Sequence, residues 1–322
     1  MAKPDASWDS RIGRRLKLRD LHILSTVVEC GSMAKGARQL GMSQPAVSES
    51  IASLEDALRV QLLDRSPKGV EATIYAHALL ERGHVVFDEL KQGIRDIEFL
   101  TDPSVGEVRI GSPESLMAGF VPAIIDRMSR EYPRIVVHAV NAQPGEQQFR
   151  ALHERSLDLM LGRVLMPLRD ADVHMEVLCE DKFYVVAGAG SPWARRRKIT
   201  LADLEHEPWV MFPKDSLIAS YFAKASHAIM PIHESVTSFS MHVRMQLLAT
   251  GRFLTILHSS TLRYYAKPWA LKALPIDLAI PPIPIAVFTL RNRAASPVVR
   301  LFIEQTRAVS KSLNETTDRR RA

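Results

Sequence analysis

The spacing of apolar residues between Leu18 and Ala72 predicts a series of short helices. Leu21, Leu24 and Val28 recur at helical intervals, so one side of the first helix faces a core. The sequence "CGS" that follows contains a glycine and a serine, which end helices and begin new ones. The first helix is therefore expected to stop there.

A second helix is predicted directly after this break. Ser32 has the side chain of an N-cap, and Met33, Ala37 and Leu40 lie about one turn apart on one face. Gly41 stands where a left-handed residue closes a helix. The second helix is thus expected to end at Gly41, with Met42 turning back into the core.

A third helix begins almost at once in "SQPAVSESIASLEDAL". Ser43 can cap it, and Pro45 lies in the first turn, where a missing N–H costs little. Its buried stripe is Val47, Ile51, Leu54 and Leu58. Two helices joined by a short turn round a glycine predict a helix-turn-helix over residues 33–52, although a plain helical hairpin has the same spacing.

The exposed side of this third helix indicates nucleic-acid recognition. Gln44, Pro45 and Ser48 point outward near its N-terminus, and a glutamine amide can pair with adenine in the major groove. The following "VQLLDRSPKGVEAT" predicts a small β-hairpin that carries Arg65 and Lys68, suited to phosphate contacts. A solvated surface loop is the alternative for each charge taken singly.

A long helix is predicted over residues 73–100, which contain no proline. Apolar and small residues alternate in steps of four and three, as in a coiled-coil seam. The seam consists of Ala72, Ala76, Leu79, Gly83, Val86, Leu90, Gly93, Ile97 and Leu100. It predicts a dimerising linker, or alternatively a helix that covers a domain core.

From Glu107 onward, strands and helices alternate. "VRIGS", "RIVVHAV" and "LDLMLGRV" are predicted strands, separated by helices in "SLMAGFVPAIIDRMSREYP" and "EQQFRALHERS". This order implies a parallel sheet, and "EDKFYVVAGAG" begins a second unit with strands in "SVTS", "FLTIL" and "IPIAVFTL". Two α/β lobes with a cleft between them are expected.

A ligand of such a two-lobed domain is expected beyond the carboxyl ends of the parallel strands. There, Ser112, Glu114 and Ser115 follow one strand and Arg163 follows another. Arg163 suits a carboxylate, while Glu114 suits the hydroxyl groups of a sugar-like ligand. A small organic acid, plain or hydroxylated, is the predicted ligand. Ser216 and Thr237 are assigned to inward-facing helix starts; mere helix caps, and a structural salt bridge for Arg163, are the alternatives.

Composition narrows the class of protein. A net charge of +6 and a pI near 9.4 permit a polyanionic partner, but residues 1–73 carry eleven Lys/Arg against nine Asp/Glu, so the charge is not concentrated there. The first residues lack the apolar core of a signal peptide, and four prolines break the most apolar run, "LKALPIDLAIPPIPIAVFTL". The two cysteines, Cys30 and Cys179, fall in different predicted domains. These features predict a cytoplasmic protein without a membrane span.

With these elements in place, the chain resembles a LysR-type transcriptional regulator from about Lys17 to Val309. The resemblance rests on "LSTVVECGSMAKGARQL", on "SQPAVS" at Ser43–Ser48, and on the leucine and arginine pattern that ends at Arg65. Further matches are "YP" at Tyr132–Pro133 and "LDLMLGR" at Leu157–Arg163. The pattern departs at Glu49, where the family often has a basic residue, and at "GRFLTILH", which brings Arg252 and His258 near the cleft.

The resemblance implies an α/β protein with an all-α N-terminal part: a winged helix-turn-helix, a long linker helix, and two Rossmann-like subdomains of the periplasmic-binding-protein type. Double-stranded operator DNA, a small-molecule effector and a homodimer assembling to a homotetramer are the implied partners, with RNA polymerase as a further one. The DNA-binding set is Lys35, Ser43, Gln44, Pro45, Ser48, Glu49, Arg65 and Lys68.

The expected boundaries follow from the same pattern. They are a flexible arm at 1–15, the DNA-binding domain at 16–73, the linker at 74–102, the effector domain at 106–312, and a basic tail at 313–322. Within the effector domain, lobe I covers about 106–175 and 281–312, and lobe II about 176–280.

Other classes of protein find less support. No nucleophile elbow, zinc-protease motif, P-loop or dinucleotide fingerprint is present, and the eleven histidines show no metal-ligand spacing. No catalytic residue, cofactor or metal is therefore expected. A small-molecule-binding protein or an enzyme that uses the two-lobed domain remains the alternative, but it would leave residues 16–100 unexplained.

Overall fold

The structure is a computed structural model that describes residues 15–66, 69–142, 149–225 and 234–318, with side chains described as far as 313. The chain forms two compact units, Met1–Gly93 and Ile94–Ala322. Lys68, almost all of the expected arm and the end of the expected tail lie outside the described residues.

The N-terminal unit contains the three predicted short helices and the predicted hairpin. Side-chain caps begin two of the helices as expected: Ser32 accepts a hydrogen bond from the Lys35 amide (3.5 Å), and Ser43 accepts one from the Ala46 amide (3.4 Å). Gly41 has a left-handed φ of 64°. The elements are α1 (Leu18–Cys30), α2 (Met33–Gln39), α3 (Gln44–Leu58), β1 (Leu63–Ser66) and β2 (Gly69–Ala72).

One apolar core holds these helices together. It includes buried side chains from all three helices: Ile23, Leu24 and Val27 from α1, Met33 and Ala37 from α2, and Val47, Ile51 and Leu54 from α3. Burial of each such side chain larger than alanine stabilises the unit by roughly 1.5–3 kcal/mol. Because the apolar stripe of α3 is buried in this core, the opposite side of the helix remains accessible to another partner.

The β-hairpin is attached firmly to the helices. Gly69 adopts φ 138°, and a Cβ atom there would lie 2.6 Å from the Gly31 carbonyl oxygen. Val70 donates its amide hydrogen to the same oxygen (3.0 Å). The Glu55 carboxylate accepts hydrogen bonds from the amides of Leu62 (2.8 Å) and Leu63 (3.2 Å). These contacts fix the hairpin as a wing beside α3.

The linker is a single helix, α4 (Ile74–Thr101), and its apolar stripe divides into two parts. Ala72 lies in β2 rather than in the helix, because it pairs with Leu63 in the hairpin. Ala76 and Leu80 are buried in the core of the N-terminal unit. Further along, the predicted stripe is exposed at Val86, Leu90, Ile97 and Leu100, and Ile94 beside it is exposed as well. The first part therefore covers a core, and the second part has its apolar side chains in solvent in the single chain.

Lobe I of the C-terminal unit is built on a five-stranded sheet in the order β4-β3-β5-β12-β6. The predicted parallel arrangement holds for β3 with β4 and β5, but β12 is antiparallel to both of its neighbours. The strands are β3 (Val105–Ser112), β4 (Arg134–Asn141), β5 (Leu159–Arg163), β6 (Val173–Asp181) and β12 (Ile283–Leu290).

The helices of lobe I differ from the prediction in one place. The segment expected as one helix forms two, because Gly119 has an extended φ of 175° between them. The helices are α5 (Glu114–Met117), α6 (Phe120–Glu131), α7 (Arg150–His153) and α11 (Pro297–Asp318). Phe120 and Phe302 are fully buried between the sheet and these helices.

Lobe II has its own five-stranded sheet in the order β11-β7-β10-β8-β9, with Trp209 fully buried in its core. Its elements are β7 (Phe183–Gly188), β8 (Trp209–Met211), α8 (Leu217–Ala225), β9 (Glu234–Thr237), α9 (Met241–Ala249), β10 (Leu254–His258), α10 (Ser259–Tyr265) and β11 (Leu271–Ala273). The first crossover lies after Asp181, not near residue 175 as expected, since all of β6 pairs with lobe I.

Within the described part of the chain, none of the helices combines the length and apolarity needed to cross a membrane. Cys30 and Cys179 are free thiols. Burial, followed by the nearby Asp181 charge, raises the pKa of Cys179 to about 12. That thiol is therefore protonated at neutral pH and behaves as a small apolar side chain.

Candidate functional site

A cavity of about 110 Å³ lies in the cleft between the two lobes of the C-terminal unit. It is close in size to the roughly 150 Å³ cavity that holds a benzene molecule in another protein. Lobe I contributes the segment after β3 and the end of β5, and lobe II contributes the end of β10 and the start of α9. The lining polar residues are Glu114, Ser115, Asn141, Arg163, Arg244, His258 and Thr261.

Arg163 is buried at the edge of this cavity and is fully engaged by protein groups. Its Nε and Nη2 atoms lie 2.9 and 2.8 Å from Oδ2 of Asp181. Nη1 donates to the Ser115 hydroxyl (2.7 Å), and Nη2 also donates to the Ser260 hydroxyl (3.1 Å). The sequence allowed Arg163 either to bind a ligand carboxylate or to form a structural salt bridge. These contacts correspond to the structural salt bridge.

The partner carboxylate is equally well satisfied. Asp181 is completely buried and accepts hydrogen bonds from the Ser259 hydroxyl (2.8 Å) and the Ser260 amide (2.8 Å). Burial acts to raise the pKa of Asp181, but the charge of Arg163, with smaller contributions from His258 and Ser260, holds it below its ordinary value. The ion pair is thus maintained at neutral pH, and it joins the end of β5, the crossover after β6 and the start of α10.

Arg244 is the second buried cation of the cavity, and its situation is different. It is 4% exposed, its Nε donates to the Ser238 carbonyl (3.0 Å), and its guanidinium lies 4.9 Å from the centre of the Phe212 ring. Among the described residues no carboxylate lies within ion-pair distance, and neither Nη atom has a partner. Burial lowers the pKa of Arg244 to about 10, against a smaller opposing effect of Glu114. Arg244 remains charged at neutral pH, with unused donors in the cavity.

Glu114 reaches across the cleft from lobe I. Its Oε1 atom accepts a hydrogen bond from the Met241 amide (2.7 Å) in the first turn of α9. A second contact of this kind runs from the Thr261 hydroxyl to the Ser115 carbonyl (2.9 Å). Carboxylates are stabilised at helix N-termini by free amides and by the helix dipole. Glu114 therefore helps to hold the two lobes together at the cavity.

His258 completes the polar part of the wall. Burial, followed by the positive charge of Arg163, lowers the pKa of His258 to about 3, so the imidazole is neutral at physiological pH. Its Nε2 atom is buried and has no hydrogen-bond partner among the described residues. Arg252, the other residue singled out in that segment, is exposed and does not line the cavity. The neutral imidazole therefore has a ring nitrogen without a hydrogen bond beside the cavity.

The remaining wall is apolar. Leu165 from lobe I faces a larger group from lobe II, formed by Phe212, Ile218, Phe239, Met241 and Leu257. A site with a few convergent polar groups on an apolar wall is typical of small-molecule binding. The described residues include no cluster of three or more side chains suited to a metal ion.

Three of the residues expected in the site do not line this cavity. Ser112 is completely buried, and its hydroxyl has no partner among the described residues. Ser216 caps α8 by accepting a hydrogen bond from the Ala219 amide (3.2 Å). Thr237 is exposed at the end of β9, because its segment pairs with β8 and Ser240 caps the next helix instead. The expectation that Thr237 begins a helix is wrong.

The N-terminal unit brings most of its predicted interface residues to one segment. Gln44, Pro45 and Glu49 are exposed in the first turns of α3, and Ser48 beside them is half-buried. Ser43 caps that helix, while Lys35 on α2 and Arg65 on β1 are also exposed. The segment presents amide, carboxylate and hydroxyl groups on a helix that the core holds rigid.

Both units match known families. The LysR substrate binding domain matches residues 101–311, and the bacterial regulatory helix-turn-helix protein of the lysR family matches residues 18–77. The chain belongs to the LysR family of transcriptional regulators. It is a DNA-binding regulator with an effector-binding domain, and not an enzyme.

Relatives of this LysR-type regulator match along nearly the whole chain. The HTH-type transcriptional regulator GbpR of Azospirillum brasilense is 24% identical over 299 residues, which cover 92% of this chain and 87% of GbpR. The HTH-type transcriptional regulator TdcA of Escherichia coli K12 is 26% identical over 296 residues, covering 89% of this chain and 93% of TdcA.

Solved structures show the same fold. Full-length CbnR in complex with its target DNA has a TM-score of 0.52 at 20% identity, covering 92% of this chain and 100% of CbnR. A variant of full-length OxyR from Pseudomonas aeruginosa has a TM-score of 0.58 at 19% identity, covering 92% of this chain and 95% of OxyR. At these identities the likeness concerns the fold and not the ligand.

The sequence did not predict three polar residues of the regulator's cavity, namely Asn141, Thr261 and Arg244, of which Arg244 is the charged one. A signal for it exists in "MHVRMQLLAT", because Met241, Met245 and Leu248 form the buried stripe of α9. Arg244 lies three residues after Met241 and hence on the same side of the helix. A charged residue within a buried stripe indicates a functional position, since burial of an unpaired charge is costly.

Proposed function

We propose that the first turns of α3 read operator DNA and that a small organic acid, bound between the lobes, controls this binding. The observation that carries the effector part is Arg244, a buried cation with unused donors in a largely apolar cavity. We place this activity in the cytoplasm, where a bacterial regulator meets DNA, and keep RNA polymerase as a further partner.

For the DNA interface, the exposed amide of Gln44 is suited to bidentate pairing with adenine. Pro45 and Ser48 allow close approach beside it, and Glu49 is able to accept from cytosine. Arg65 on the wing, with Lys68, contacts phosphate and orients the helix without reading sequence. Lys35 and Ser43 complete the interface from α2 and the α3 cap.

For assembly, we propose that the exposed part of α4 pairs with a second copy of the chain. Leu90, Ile97 and Leu100 are 47%, 65% and 76% exposed in the single chain, and they follow helical spacing along one stripe. Pairing would remove this apolar stripe from water and present two reading helices to two half-sites. A homotetramer joined through effector domains remains part of the proposal.

For the effector, a carboxylate replaces the missing partner of Arg244. A bidentate guanidinium–carboxylate pair would use both Nη groups, and the apolar part of the ligand would pack against Phe212, Ile218 and Leu257. Ser115 and Glu114 from lobe I complete the site. Since the cavity has walls from both lobes, a ligand with contacts to both would favour the closed arrangement.

The DNA part is tested by fluorescence-anisotropy titration of the protein with DNA from upstream of its own gene and with random DNA. Gln44→Ala is expected to cost about 1–3 kcal/mol on the operator and little on random DNA, because the amide reads a base. Gln246→Ala, an exposed glutamine on α9, is the matched control. Equal binding of wild type and Gln44→Ala to both DNAs would refute this reading face.

A further inference from the structure

The charges of the cleft cavity define the kind of molecule that fits it more narrowly than an organic acid. Three charged side chains line the cavity: Glu114, Arg163 and Arg244. Arg163 is neutralised by Asp181, its buried ion-pair partner. The charges left to face a ligand are therefore one positive group and one negative group, which sum to zero.

These two groups do not neutralise each other. Among the described residues, neither Glu114 nor Arg244 has an ion-pair partner within 4.0 Å, although both line the same cavity. The Oε1 atom of Glu114 is occupied by the Met241 amide, while Oε2 has no partner among the described residues. A free carboxylate oxygen and a free pair of guanidinium donors thus line one small cavity, held apart by the fold.

A monocarboxylate would neutralise the charge of Arg244 but not that of Glu114. It would pair with Arg244 and leave the Glu114 carboxylate in a partly desolvated site beside the negative charge of the ligand, which is unfavourable. A zwitterion that carries an ammonium group next to its carboxylate satisfies both charges at once. The apolar wall formed by Phe212, Ile218 and Leu257 then receives an apolar side chain.

We propose that the effector is an apolar α-amino acid, with its carboxylate on Arg244 and its ammonium group on Glu114. This assignment rests on the effector site proposed above and sharpens it. Glu114 is then the specificity-determining residue, because it separates an amino acid from the corresponding hydroxy acid or unsubstituted acid. Glu114 belongs to lobe I and Arg244 to lobe II, so one ligand bridges the lobes.

The test uses matched sets of probes, titrated calorimetrically into the full-length protein. One set consists of valine, 2-hydroxy-3-methylbutanoate, 3-methylbutanoate and isobutylamine, with equivalent sets built on leucine and phenylalanine. In at least one set the amino acid is expected to bind about 10- to 100-fold more tightly than the other three members, since each of them lacks either the ammonium group or the carboxylate.

Glu114→Gln separates charge from structure. Its amide oxygen is still able to accept from the Met241 amide, so the fold is kept while the negative charge is removed. We expect this variant to lose the preference for the amino acid over the unsubstituted acid. Glu131→Gln, an exposed glutamate at the end of α6, should behave as wild type.

The possible outcomes distinguish the amino-acid assignment from the proposed carboxylate site on Arg244. Equal or tighter binding of the hydroxy acid or the unsubstituted acid, abolished in Arg244→Gln, would overturn the amino-acid assignment while the carboxylate site stands. A preference for the amino acid that survives in Glu114→Gln would also overturn it. Binding that is unchanged in Arg244→Gln, or no binding by any probe, would overturn both the assignment and the proposed site.

Discussion

The two units of the chain expose their polar chemistry in opposite ways. In the N-terminal unit, Gln44, Pro45 and Glu49 stand in solvent on a helix whose other side is packed into a core. In the C-terminal unit, Arg163 and Arg244 are 5% and 4% exposed within a cleft. A duplex is too large to be enclosed and has to be met at a surface, whereas a small ligand can be surrounded.

This difference has an energetic consequence. An exposed glutamine costs the fold almost nothing, so the proposed DNA-reading face can change without loss of stability. A buried arginine costs several kcal/mol unless it is paired, so each cation of the cleft needs an explanation. Arg163 is paired with Asp181, whereas Arg244 has no ion-pair partner among the described residues. This contrast supports a structural role for Arg163 and the proposed ligand-binding role for Arg244.

The largest effect is expected from Asp181→Ala. Removal of this carboxylate leaves Arg163 buried without its partner and also deprives Ser260 of its acceptor, so we expect a loss of about 3–5 kcal/mol in the free energy of unfolding. Urea unfolding followed by tryptophan fluorescence measures it, because Trp193, Trp209 and Trp269 all lie in the C-terminal unit. A loss below about 1 kcal/mol would show that the ion pair does not stabilise the C-terminal unit.

The exposed stripe of α4 should show the next largest effect, on assembly. Leu90→Lys removes apolar surface from both copies of a dimer and adds two charges, so we expect about 3 kcal/mol, or roughly a hundredfold, in the dimer dissociation constant. Sedimentation velocity measures this, with the exposed Ala78→Lys on the same helix as control. An unchanged oligomer in Leu90→Lys would reject the proposed seam.

A smaller effect concerns pH. The pKa of His258 falls from 6.5 to about 3 on folding, so the unfolded state binds a proton more readily, and stability is lost as pH decreases below about 6.5. Between pH 7 and pH 5 this amounts to about 2 kcal/mol. His258→Gln should flatten that part of the stability profile, while the exposed His206→Gln should not. A profile that is equally steep in His258→Gln would contradict the buried neutral imidazole.

The elements of the N-terminal unit could be predicted from the sequence because the signals that define them lie close together along the chain. Ser32 and Ser43 cap helices within three residues of themselves, and the stripe of α3 is regular. The sequence did not predict that the α4 stripe divides into a buried part and an exposed part. Periodicity is the same for a stripe that packs on its own domain and for one that faces solvent.

The cleft was harder to predict because its pairs are distant in sequence. Arg163 and Asp181 meet through β12, which pairs with both of their strands: Ile285 lies opposite Arg163, and Ile283 lies opposite Asp181. No pattern near Arg163 reveals this register, so its position after a predicted strand indicated a ligand-binding cation and not an ion pair. Glu114 was found by its position after β3, but its contact with Met241 depends on how the lobes close.

The central claim is that Arg244 is kept for a ligand and not for the fold, and the unfolding free energy of Arg244→Met tests it directly. Methionine keeps the packing against Phe212 but removes an uncompensated buried charge. We predict that urea unfolding of the ligand-free variant gives a free energy equal to that of wild type or about 1–2 kcal/mol higher. A loss of about 3 kcal/mol, comparable to that of Asp181→Ala, would show that Arg244 is a structural residue and contradict the account.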